Sequence, residues 1–161
     1  MSGRYTGAHQ ADLARLPLLY EHGGIWLDVS ILLFRDVEAI WNRLKDPYEF
    51  AAYVLPFGAG EGQHSHSYLE NWAMAARPQC LFVRKWHEIF KTYWEDRQTS
   101  QDIDTHSLFS HLNIDGYQDP NYLAQHVSFQ RLRLLIDLDD GFNGPMWWRS
   151  KIFMLDGHEH G

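Results

Sequence analysis

Asp12, Arg15 and Asp28 are the residues whose types and spacing most readily do chemistry. Asp12 and Arg15 lie three apart, so on a helix they share a face and set a carboxylate beside a guanidinium. Asp28 closes the short apolar run Ile25-Trp26-Leu27. A carboxylate at the end of a buried apolar strand is costly unless a cation or hydrogen-bond donors meet it there, which makes Asp28 a candidate metal ligand. Hard divalent cations such as Mg²⁺ and Mn²⁺ take one or two carboxylates and fill their other positions with water and phosphate oxygens. One Asp together with a diphosphate meets that need. Each residue also has an ordinary reading: Asp12 as an N-terminal helix charge, Arg15 as its surface partner, and Asp28 as a turn residue after a strand.

Other residues carry weaker signals. Glu70 and Asn71 precede an apolar stretch and read equally as edge residues or as part of a site. Trp147-Trp148 follows Gly144-Pro145 and offers either core or a flat stacking platform for a ligand, with Trp148 the candidate. His64-Ser65-His66 and His158-Glu159-His160 each place two imidazoles on one side of an extended segment, but neither matches a zinc signature. The single cysteine, Cys80, excludes an intramolecular disulfide, and no Ser sits in a nucleophile-elbow pattern.

Positioning these residues requires a particular order of elements. Leu13, Leu16 and Tyr20 recur at helical spacing and predict a helix over 11–22, stopped by Gly23-Gly24 and kinked at Pro17, which cannot donate to the carbonyl of Leu13. Residues 25–27 and 31–34 read as two buried strands around the polar turn Asp28-Val29-Ser30. Asp36 is placed to cap a helix through Leu44. A strand over 48–55, a Gly- and His-rich loop over 58–67, a strand over 68–76 and a long amphipathic helix after Pro78 follow. Shorter helices are expected over 106–112 and 122–129, and a last strand over 151–155. The alternation predicts an α/β fold in one domain spanning 1–161.

Composition narrows the function classes. A net charge of −7 with scattered Lys and Arg argues against a nucleic-acid groove. No apolar run approaches the roughly 18 residues of a membrane span, and the first residues carry no signal-like apolar core, so the chain as given reads as soluble with no membrane segment. Its compartment, cytoplasmic or Golgi-lumenal, depends on chain preceding Met1.

Asp12-Leu13-Ala14-Arg15 followed by Leu19-Tyr20-Glu21-His22-Gly23-Gly24-Ile25-Trp26-Leu27-Asp28 resembles the sugar-binding region of DXD-containing glycosyltransferases of GT-A type, in particular the capsular polysaccharide synthesis type. The likeness continues more weakly through 71–76 and Val83-Arg84-Lys85-Trp86. It implies a GT-A-like fold and transfer of a hexose, with retention of configuration, from a nucleotide-sugar donor to a polysaccharide or glycan acceptor. It also implies an Mn²⁺ or Mg²⁺ cofactor. Carried onto this chain, the resemblance makes Asp28 and Asn71 catalytic, and Asp12, Arg15 and Gly24 substrate-binding, Asp12 accepting from a sugar hydroxyl and Arg15 donating to sugar or phosphate. Asp28, Ser30 and His158 are the metal ligands it suggests. Where the family's motif ends in a second carboxylate, this chain has Ser30, a neutral group acting through its hydroxyl or a water. Only eleven residues precede Asp12, whereas the family's motif follows a nucleotide-binding segment. The chain therefore reads as the C-terminal portion of a longer enzyme. A non-catalytic glycan- or nucleotide-sugar-binding relic and a His-rich metal-binding protein are the alternatives.

Overall fold

In a computed structural model, residues 1–34, 36–56, 67–114 and 117–156 are described. Helix α1 spans Thr6–His22, five residues longer at its start than the apolar spacing predicts, and it continues through Pro17. Leu16 and Leu19 flank that proline and are buried, so packing holds the helix across the missing hydrogen bond. Gly23 then turns the chain. Its φ of 64° suits glycine, and a Cβ there would lie 2.6 Å from Pro78 Cδ.

Strand β1 (Gly24–Leu27) follows directly, then a short helix α2 (Glu38–Trp41), β2 (Phe50–Pro56), β3 (Ser67–Ala76) and α3 (Leu81–Trp94). Beyond a 3₁₀ turn at Ile103–Thr105 come α4 (Ala124–Leu134), a two-residue pair β4 (Ile136–Asp137) and β5 (Phe142–Asn143), α5 (Gly144–Ser150) and β6 (Ile152–Asp156). The main sheet runs β1-β3-β2-β6. β3 is antiparallel to both β1 and β2, and β6 is parallel to β2, so this is a mixed sheet in an α/β fold. Phe50, Phe82, Trp86, Phe129, Phe142 and Trp147 fill the larger core between sheet and helices. A second cluster around Phe90, Tyr93 and Phe109 closes the far end of α3.

Several predicted elements differ from those observed. Residues 31–34 form no strand; Leu32, Leu33 and Phe34 are exposed. β1 is an edge strand, and the Ile31 amide bonds back to the Asp28 carbonyl, so the chain turns off the sheet before a second strand can pair. Asp36 Oδ1 accepts from the Glu38 amide at 2.8 Å, but Val37, not Asp36, is the N-cap, and the helix ends at Trp41 with turns carrying the chain to Leu44. The helix predicted over 106–112 is replaced by turns, and α4 begins later and runs further than its periodicity indicates. Helix α5 is an element the sequence reading did not anticipate: Asn143 Oδ1 accepts from the Met146 amide at 2.9 Å, with Pro145 in the first turn.

Candidate functional site

The antiparallel register of β1 on β3 sets Leu27 opposite Ala73, and the next amide, that of Asp28, donates to the Trp72 carbonyl at 2.8 Å. Asp28 therefore leaves the sheet edge beside Asn71. Helix α1, joined to β1 by the Gly23 turn, brings Asp12 and Arg15 to the same place. All four side chains line an open cavity of about 420 Å³, with Trp26 and Ser30.

Arg15 is the hub of this arrangement and is 3% exposed. Its Nη2 lies 3.2 Å from Asp12 Oδ1 and 3.2 Å from Asp28 Oδ1. Its Nη1 donates to the Asn71 carbonyl at 2.9 Å and to Gln125 Oε1 at 3.4 Å. The guanidinium also lies over the Trp26 ring, 5.2 Å from its centroid. Both terminal nitrogens expected to serve sugar or phosphate thus face the protein's own acceptors. Their effect is to gather two carboxylates in one place and offset their charge.

The carboxylates are left in different states. Asp12 is 5% exposed; its Oδ1 takes Arg15 and Asn71 Nδ2, while His9 Nδ1 stands 3.4 Å from Oδ2. Asp28 is about one-third exposed. Its Oδ1 takes Arg15 and, at 2.7 Å, Trp26 Nε1. No described residue bonds Asp28 Oδ2. One oxygen pinned and the other open is a geometry for a single directed contact from the cavity.

The opposite wall comes from α4 and the turn before it, including Tyr122 and His126. Tyr5 donates to Asp119 Oδ2 at 2.5 Å and packs against Tyr122, with ring centroids 5.1 Å apart. The hydrogen bond from Tyr5 holds the Asp119 carboxyl below its ordinary value, and the same bond raises the Tyr5 phenol. His126 faces Glu70 across 3.6 Å.

Asp12, Arg15, Asp28, Ser30 and Asn71 are therefore brought together. Gly24 is not in the cavity lining; it opens β1 opposite Ala76 with a φ of 97°. Trp148 is also elsewhere, packed against Phe129 at 5.4 Å and under the Arg133 guanidinium at 4.7 Å. His158 and the His64 and His66 pair lie outside the described residues. Sequence reasoning missed Gln125, His9, Trp26 and Tyr122 as participants. For Gln125 the sequence carried no distinguishing signal, because residues 125–129 are buried right round the helix and only the structure shows it.

A divalent cation fits this donor set only in part. Among the described residues no group of three His, Cys, Asp or Glu stands ready to hold an ion. Asp28 Oδ2 is an open carboxylate oxygen and Ser30 is exposed beside it on the cavity. Such a site suits a cation that brings phosphate oxygens and waters as its remaining ligands.

The profile of the capsular polysaccharide synthesis proteins matches residues 1–140, which include every residue of the carboxylate cluster. The chain belongs to the capsular polysaccharide synthesis protein family. Proteins similar to it include the glycosyltransferase afumC of Aspergillus fumigatus, 38% identical over 97% of this chain and 43% of the relative. The O-glycosyltransferase braB of Annulohypoxylon truncatum is 37% identical over 96% of this chain and 40% of its own length. The O-glycosyltransferase PaGT of Phomopsis amygdali is 36% identical over 96% and 42%. This chain thus spans about two-fifths of the length of the curated relatives it matches. No solved structure matches it. Among the described residues no helix is long and apolar enough to cross a membrane.

Proposed function

We propose that this chain carries the donor-sugar half of a GT-A-like glycosyltransferase, which moves a hexose from a nucleotide-sugar to a hydroxyl of a glycan or polysaccharide acceptor. The observation that carries the reading is the Asp28 carboxylate, pinned through Oδ1 by Arg15 and Trp26 and open through Oδ2 to a cavity shared with Asp12 and Asn71. The relatives named as glycosyltransferases support it, and two of them are named for transfer to oxygen.

In this reading the acceptor hydroxyl oxygen bonds to the anomeric carbon as the bond to the diphosphate breaks; the electron pair leaves with the diphosphate, whose departing oxygen takes the hydroxyl proton. Asp12 and Asn71 orient the sugar by accepting from its hydroxyls. Arg15 offsets the charge of both carboxylates and fixes them in place. Asp28 and Ser30 would hold an Mn²⁺ or Mg²⁺ ion. When bound, that ion supplies charge neutralisation for the leaving diphosphate.

Titrating UDP-glucose, UDP-galactose, UDP-N-acetylglucosamine and GDP-mannose into the protein with Mn²⁺, with chelator, and with Asp28→Asn tests this. Binding that requires the metal and drops at least tenfold in the variant is expected, accompanied by sugar release or transfer. Metal-dependent binding without any turnover identifies the non-catalytic relic instead. Binding indifferent to both chelator and substitution overturns the assignment of Asp28.

A further inference from the structure

A side-chain amide has one donating end and one accepting end, so neighbours that can only donate or only accept decide which way it points. Gln125 is fully buried on α4 and meets such neighbours on both sides. Its Nε2 donates to the Asp12 backbone carbonyl at 2.8 Å. Its Oε1 accepts from Asn71 Nδ2 at 2.8 Å and from Arg15 Nη1 at 3.4 Å. Reversing the amide would set donor against donor and oxygen against carbonyl.

The same logic passes to Asn71. Its Nδ2 donates to Gln125 Oε1 and, at 3.2 Å, to Asp12 Oδ1, so both amide hydrogens point into the protein. Asn71 Oδ1 has no partner among the described residues, and Asn71 lines the cavity. The Arg15 terminal nitrogens are likewise turned inward. What Asn71 and Asp28 have left for a ligand is oxygen: Asn71 Oδ1 and Asp28 Oδ2. A hydroxyl can donate to Asn71 Oδ1, whereas an ionised phosphate oxygen, which only accepts, finds no donor there and reaches Asp28 only through a bridging cation.

We propose that Gln125 is a positioning residue: it locks the Asn71 amide with its oxygen toward the cavity, and thereby makes this floor a reader of sugar hydroxyls rather than of phosphate. The inference rests on the glycosyl-transfer reading of the site. Gln125 touches no ligand; it acts through Asn71.

Two substitutions separate this role from packing. Gln125→Met fills a similar volume but removes the acceptor, while Gln125→Glu keeps an acceptor for Asn71 and adds a buried charge. A packing role ranks Met as the milder change. The positioning role reverses that order for ligand binding. With Mn²⁺ present, Gln125→Met is expected to weaken whichever of the four nucleotide-sugars binds wild type by about tenfold, the worth of one hydrogen bond, and to leave UDP or GDP affinity within about twofold. Gln125→Glu is expected to bind the nucleotide-sugar better than Gln125→Met does. Equal losses for nucleotide-sugar and nucleoside diphosphate, no loss in Gln125→Met, or a larger loss in Gln125→Glu overturns the proposal. If Gln125→Met does not fold, solvent exchange of the Asn71 side-chain NH₂ in the wild-type protein decides the matter. Slow exchange is expected, and exchange at the rate of an exposed amide overturns the lock. Wild-type protein that binds none of the four donors overturns the glycosyl-transfer reading and this role with it, whereas a binding wild type with indifferent variants overturns this role alone.

Discussion

Replacing Arg15 with Met should be among the most destabilising single changes available in this protein. Arg15 is 3% exposed, and its guanidinium serves Asp12 and Asp28 at 3.2 Å each. The two carboxylates do not suffer alike when it goes. Asp28 is about one-third exposed and can be hydrated, and it keeps the Trp26 indole. Asp12 is 5% exposed and retains only the Asn71 amide and a His9 nitrogen at 3.4 Å. Breaking a buried pair from one side costs about 3–5 kcal/mol, because the other charge stays buried without compensation. With a urea slope of about 2 kcal/mol per molar, that is a midpoint lower by about 2 M. If the stranded Asp12 charge is the cause, adding Asp12→Asn to Arg15→Met should restore stability instead of lowering it further. A coupling of about 2 kcal/mol or more is then expected from the four urea curves of the double-mutant cycle. A single-variant cost below about 1 kcal/mol, or additive losses in the cycle, would refute the view of Arg15 as the counter-charge of a buried carboxylate.

Two further outcomes follow from other parts of the molecule. Burial works against the Lys85 ammonium, but its hydrogen bonds to Asp137, Asp140 and Glu88 outweigh that and raise it above its ordinary value. The same bonds from Lys85 hold the Asp137 and Asp140 carboxyls below theirs. Stability from these depressed carboxyls is fully present above their unfolded value of about 3.9 and is lost as pH falls through the lowered folded values. Lys85→Met should therefore lower the urea midpoint most near neutral pH, with the gap to wild type closing below about pH 4; a gap constant down to pH 2.5 contradicts this. Cys80 is 1% exposed, and burial pushes its thiol up to about 12. An aromatic disulfide reagent at pH 8 should leave the native protein unlabelled for many minutes and react fully in urea, whereas equal rates in both states would show the thiol to be accessible.

Some of this architecture was legible from residue order because it is local. Helical spacing in 11–22, the Gly-Gly stop and the apolar run ending on Asp28 predict a helix, a sharp turn and a strand, and these form. The strands at 50–56 and 67–76 and helix α3 also fall where the patterning puts them. Residues 31–34 show where the same reasoning stops. An apolar run reads identically whether a neighbouring strand covers it or the chain turns into solvent, and here the strand order leaves β1 at the edge. The Trp147-Trp148 pair is similar: an aromatic pair can stack on a sugar or fill a core, and the packing of α5 on α4 puts Trp147 in the core and Trp148 against Phe129.

By itself the sequence determined the family, the carboxylates and the turn that brings Asp28 close to the helix bearing Asp12 and Arg15, because motif, periodicity and glycine conformation act over a few residues. Only the tertiary structure decided what those groups are free to do. Gln125 reaches the carbonyl of Asp12 across 113 positions of chain, and Asn71 reaches the Asp12 carboxylate across 59. Local pattern carries no information about contacts at that separation, which form only when α4 and β3 close on α1. Those contacts turn the Arg15 nitrogens inward, fix the Asn71 amide and leave Asp28 with one open oxygen.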